Sequence, residues 1–124
     1  MKILVIDSNK TICEMLSGYF TKKGHDCLCA VDGRNGLSLI LKEKYDAVLL
    51  CLKMPEFSGY DVIDALEEKG KLRESNIIVF TSVHLSEPEI KELERRGVCS
   101  YLRQPAKLDV IFKAIETFCK TKSL

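Results

Sequence analysis

The stretch VLLCLKMPEFSG, residues 48–59, decides how this chain is read. It opens as an uninterrupted apolar run, the pattern of a strand covered on both faces. It closes with Pro55 and Gly59, which punctuate a loop. Cys51 stands at the join, where a polar group is expected.

Working outward, apolar runs alternate with segments of helical period. KILVI (residues 2–6) reads as a first buried strand. Residues 9–23 carry Ile12, Leu16, Tyr19 and Phe20 on one helical stripe, stopped by Gly24. DCLCAV (26–31) is a second strand, and residues 35–44 form a helix with Leu37, Ile40 and Leu41 inward. AVLLCL (47–52) is the third strand, followed by a helix over 59–69 with Val62, Ile63 and Leu66. NIIVFTS (76–82) is the fourth. Ser86 and Glu89 then form a capping box, with Leu85 and Ile90 spaced for a hydrophobic staple, and Gly97 ends that helix. VCSYL (98–102) is the last strand, and residues 108–120 the last helix, with Leu108, Ile111, Ile115 and Phe118 inward. Five strands alternating with five helices imply a doubly wound parallel sheet with helices on both faces, an α/β three-layer sandwich. Residues 1–124 are expected to form one domain, with no linker or repeat.

Nineteen basic residues against eighteen acidic leave a net charge of +1, which gives no support to nucleic-acid or anionic-membrane binding. The apolar runs are too short to span a bilayer, and no signal peptide follows Met1, so a cytoplasmic location is expected. The six cysteines (Cys13, Cys27, Cys29, Cys51, Cys99 and Cys119) lack zinc spacing, and His25 and His84 are isolated. Most of these thiols are expected to be small buried hydrophobes, with no metal and no cofactor.

Right-handed crossovers place the C-terminal ends of the strands along one edge, where ligand chemistry sits in such sheets. That edge should gather Asp7 and Ser8 from strand one, Cys51 and Lys53 from strand three, Thr81 from strand four and Gln104 after strand five.

This constellation resembles the receiver domain of response regulators, the CheY-like family with a flavodoxin-like fold. The resemblance covers nearly the whole chain through four ordered motifs: ILVIDSN, DAVLLCLKMPEFSGYDVI, VFTS and YLRQPAKLDVI. It implies a phosphoacceptor aspartate at position 51, two acidic residues after strand one that help to hold Mg²⁺, a lysine before the last proline, and a Thr–aromatic switch pair. Asp7, Met54, Pro55, Gly59, Thr81 and Tyr101 keep that pattern. Ser8, Cys51 and Gln104 depart from it. Mg²⁺ prefers carboxylate oxygen, so Asp7 beside a thiol and a hydroxyl is a poor site. Lys53 either folds its ammonium towards Asp7 in place of the metal or points to solvent. Cys51 is either a quiet structural thiol or a redox sensor, and a reactive thiol needs a nearby cation.

The expectation is therefore a stand-alone receiver-like signalling module of two-component type that is not phosphorylated and acts by protein–protein interaction. The alternatives are a thiol-responsive sensor through Cys51 and an active phosphoacceptor variant. A flavin carrier on the same topology would need a glycine-rich turn where DSNKT stands. The partner would be a sensor kinase or a downstream effector, met through a face carrying Lys91, Arg95, Arg103 and Lys107. The protein itself would be a monomer or a weak homodimer, and not an enzyme.

Overall fold

A computed structural model describes residues 1–122, with side chains through Phe118; Cys119 lies outside the described side chains. The elements run β1 (Lys2–Ile6), α1 (Lys10–Lys22), β2 (Asp26–Ala30), α2 (Gly33–Lys42), β3 (Ala47–Leu50), α3 (Gly59–Glu68), β4 (Ile77–Thr81), α4 (Glu87–Arg96), β5 (Ser100–Arg103) and α5 (Leu108–Lys122). A single 3-10 turn, Arg73–Ser75, precedes β4. All strands pair in parallel, in the order β2-β1-β3-β4-β5. This is the doubly wound sandwich that the alternation of elements implies. No described helix is long and apolar enough to cross a membrane.

The sheet separates two cores. Leu4, Ile6, Val48, Leu50, Ile77 and Val79 pack on one face with Val62, Ile63, Leu66 and Leu93. Ile3, Val5, Leu49, Ile78 and Phe80 pack on the other with Leu16, Phe20, Ile111 and Ile115. The three central strands are buried on both faces almost throughout, whereas β2 and β5 are partly exposed edges. A strand with one neighbour covers half as much of itself, so DCLCA tolerates polar and thiol residues that AVLL does not.

The helix starts follow local chemistry. Asn9 accepts from the amides of Thr11 and Ile12 to cap α1. Ser86 and Glu89 form the expected capping box on α4, and Ser58 with Asp61 forms a second on α3.

Two inward assignments are corrected. Leu41 is 38% exposed. Helix α2 comes closest to β1 at Gly36, where a Cβ would lie 2.6 Å from Ile6 Cδ1; Leu37, Leu39 and Ile40 pack on the core and Leu41 does not. Phe118 is 39% exposed. Helix α5 has fifteen residues, roughly 22 Å at helical rise. Its buried core residues are Ile111 and Ile115, and Phe118 lies beyond them along the helix, past the reach of the four-residue β5 of about 13 Å.

Candidate functional site at the C-terminal edge of the sheet

Because β1 lies between β2 and β3, the chain leaves it on opposite sides, and the ends of β1, β3 and β4 open into a crevice. Asp7, Cys51, Thr81 and Gln104 meet there.

Asp7 is 4% exposed, and both its carboxylate oxygens are engaged. Oδ1 accepts from the Asn9 amide at 2.9 Å and Oδ2 from Gln104 Nε2 at 3.1 Å. The same Gln104 nitrogen donates to the Phe80 carbonyl at 3.0 Å. The Gln104 amide nitrogen donates to the Thr81 carbonyl at 2.8 Å, and the Gln104–Pro105 peptide is cis. A neutral amide is therefore the side-chain donor to Asp7. Lys53 does not fill that role: it is exposed, and no ion pair joins it to Asp7 among the described residues. Having no second buried carboxylate to face, its ammonium keeps its hydration.

Cys51 is 8% exposed. Its Sγ donates to the Lys53 carbonyl at 3.6 Å and lies 3.8 Å from Thr81 Oγ1. Burial first, and then the charge of Asp7, push its pKa up, so the neutral thiol is the stable form. The loop beyond it is held by backbone contacts. The Gly59 amide donates to the Leu52 carbonyl at 2.8 Å, and a Cβ at Gly59 would sit 2.2 Å from the Cys51 carbonyl oxygen. Only glycine lets α3 start so close to the end of β3.

Ser8 is exposed. A Mg²⁺ of the kind the resemblance implies does not fit these residues. One carboxylate with both oxygens engaged, a neutral thiol and an exposed hydroxyl do not make a hard-ion donor set. No cluster of three His, Cys, Asp or Glu side chains able to hold a metal occurs among the described residues.

Thr81 is fully buried, and its Oγ1 accepts from the amides of Leu52 and Val83, each at 3.4 Å. Tyr101 donates its hydroxyl to the Val83 carbonyl at 2.8 Å and accepts from the Leu85 amide at 3.4 Å. Thr81 and Tyr101 thus hold the two ends of the short segment between β4 and α4.

Lys91, Arg95, Arg103 and Lys107 are all exposed. Arg95 pairs with Glu92 on its own helix at 2.5 Å. Arg96 is a further charged residue with a structural role. It reaches back to α3, donating to Asp64 at 2.6 Å and Glu67 at 2.9 Å, which ties α4 to α3. Those contacts raise its pKa further. Its position at the end of an amphipathic helix beside Arg95 carries no signal that separates the two.

The doubly wound fold, with one buried carboxylate in the crevice at the β1–β3 switch point and a hydroxyl–aromatic pair along β4 and β5, is the arrangement that the resemblance implies. Residues 3–116 match the response regulator receiver domain, and the chain belongs to that family. It is 31% identical over 124 residues to the transcriptional regulatory protein DltR of Streptococcus agalactiae, covering 100% of this chain and 54% of that protein. The chain thus spans about half of that relative's length. It is 28% identical over 123 residues to the sporulation initiation phosphotransferase F of Bacillus subtilis, covering 98% of this chain and 96% of that one. Among solved structures, the receiver domain of the Francisella response regulator 1452 superposes with a TM-score of 0.86 at 25% identity, covering 98% of each chain. This is a receiver domain of the two-component response regulator type.

Proposed function

We propose that this receiver is not switched by phosphorylation and works by docking to a protein partner, a sensor kinase or a downstream effector. The observation that carries the reading is the state of the pocket. Position 51 is a buried neutral thiol, and Asp7, the carboxylate that remains, is committed to Asn9 and Gln104. Phosphoryl transfer to a side chain needs a nucleophile and cations to spread the developing charge. Here the nearest donor to Asp7 is a neutral amide.

The retained Thr81–Tyr101 arrangement supports a second element of the proposal. The Tyr101 ring is held by two hydrogen bonds to backbone atoms, which favours one lasting shape of the α4–β5–α5 face. Lys91, Arg95, Arg103 and Lys107 lie on that face. Mixed charge there would orient a partner more than it would add raw affinity.

Incubation with a small phosphodonor and Mg²⁺, read by intact mass, tests the first element. No phosphoryl gain is expected in the parent chain. A gain mapped to Cys51 or Asp7 overturns the proposal. Cys51→Asp alone is also expected to stay unmodified, and joint restoration of acid at 51 and lysine at 104 is expected to be needed. Charge reversal at Arg95 and Arg103 tests the second element. It should weaken binding to a captured kinase or effector while leaving the melting temperature nearly unchanged.

A further inference from the structure

The thiol at the end of β3 is enclosed, but a second group of thiols is not. Helix α1 and the edge strand β2 bring Cys13, Cys27 and Cys29 together on the side of the sheet away from α2. Of these, Cys29 is exposed, Cys27 is intermediate and Cys13 is 3% exposed. Cys29 Sγ donates to the Cys13 carbonyl at 3.2 Å, which seats the exposed thiol directly over the residue that carries the buried one. An open groove lined by Lys10, Cys13, Glu14, Ser17, Cys29 and Val31 leads to the pair. A small molecule can therefore reach Cys29 with Cys13 directly behind it.

We infer that Cys29 and Cys13 form a dithiol site that reacts with low-molecular-weight disulfides, closing to an intramolecular disulfide between α1 and β2. The step balances as ordinary exchange. Cys29 gives up its proton, and its thiolate attacks one sulfur of the small disulfide. One thiolate leaves, and a mixed disulfide remains on Cys29. Cys13 then loses its proton and attacks Cys29 Sγ, and the second small thiol departs. Two protein thiols lose two electrons and two protons, and the small disulfide is reduced to two thiols. Burial holds the thiols of this group in their neutral forms, so closure proceeds slowly at neutral pH and needs the exposed member to start it.

The pair also adjoins the crevice. Cys13 Sγ donates to the Asp7 carbonyl at 3.5 Å and faces the Ala30 carbonyl at 4.0 Å, while the Asp7 amide donates to Ala30. Oxidation removes the Cys13 donor, so the end of β1 changes its hydrogen bonding. The inference does not depend on whether the crevice accepts phosphate.

The test uses the full chain, reduced and then exposed to oxidised glutathione at mildly alkaline pH, with free thiols alkylated and peptides mapped by mass. The expected product joins the peptides holding Cys13 and Cys29, with Cys27 alkylated, and the amide resonances of Asp7 and Ala30 shift. Cys29→Ser should lose the cross-link and Cys27→Ser should keep it. Cys51→Ala should leave it unchanged. Cys13→Ala should accumulate the mixed disulfide on Cys29. A cross-link that survives Cys29→Ser or vanishes with Cys27→Ser overturns the assignment. So does a parent chain that stops at the mixed disulfide or does not react.

Discussion

The crevice at the ends of β1, β3 and β4 and the tether between β4 and α4 lie side by side, yet they have kept different things. The crevice keeps its shape. Gly59 still closes the loop against Cys51, and Asp7 still stands at the end of β1. Its charged chemistry is reduced to one carboxylate held by neutral donors. The tether keeps its shape and its polar contacts together, Thr81 with Leu52 and Val83, Tyr101 with Val83 and Leu85. The difference lies in what each region uses. The tether binds backbone amides and carbonyls, which every sequence supplies. Phosphoryl chemistry needs particular side chains, and Ser8, Cys51 and Gln104 are where this chain departs from the pattern that the family resemblance implies.

The largest expected effect strikes the shape of the crevice. Gly59→Ala forces a methyl into the Cys51 carbonyl and should cost about 3 kcal/mol, read as a lower urea midpoint. A loss below about 1 kcal/mol would mean that the loop swings freely and that crevice geometry is not tightly held.

Alkaline titration sharpens the same comparison through the buried thiols. Burial above all, with Cys29 next, pushes the Cys13 thiol up to about 12 from an ordinary 9.0. Above that ordinary value the unfolded chain has shed a proton that the folded chain retains. Stability is therefore fully present below about pH 9 and declines as pH climbs towards 12. Under reducing conditions, the parent should lose on the order of 2 kcal/mol more than Cys13→Ala across this window. Cys51→Ala should flatten the same limb to a smaller degree. Parallel curves for parent and both variants would break the account.

The tether is tested by Tyr101→Phe, which leaves the Val83 carbonyl without its donor. A loss of about 1 kcal/mol is expected, with faster amide exchange at Leu85. Unchanged exchange would show that the segment is held by packing alone. The smallest effect belongs to Arg96→Gln. Its acidic partners have side chains 64% and 47% exposed, so water screens the bridge and the loss should stay under about 1 kcal/mol, fading in high salt.

Much of this was legible in the chain. Apolar runs in VLLCL and KILVI mark strands because burial on both faces leaves no place for a polar side chain. The Ser86–Glu89 cap was visible because caps are local. The inward faces of α2 and α5 were read less well. Large apolar residues are conspicuous in a sequence, whereas α2 comes closest to β1 at Gly36. Of the candidate site, the sequence places Asp7, Cys51, Thr81 and Gln104 at one edge, because strand ends in a doubly wound sheet share it; it places Ser8 and Lys53 there too, and the fold leaves both exposed. How these side chains pair is not in the sequence. Nothing in the string distinguishes Gln104 from Lys53 as the donor to Asp7, or Arg96 from Arg95 as the residue that crosses to α3.

The sequence by itself determined the order and kind of the elements and which residue types stand at the strand ends, Cys51 among them, since residue type and period along the chain carry that information. Only the tertiary structure decided that Asp7 is satisfied by Gln104, that Cys51 is enclosed and that Cys13 and Cys29 share a contact. Those facts depend on distances between residues sixteen to ninety-seven positions apart, which are set when the strands take their places in the sheet.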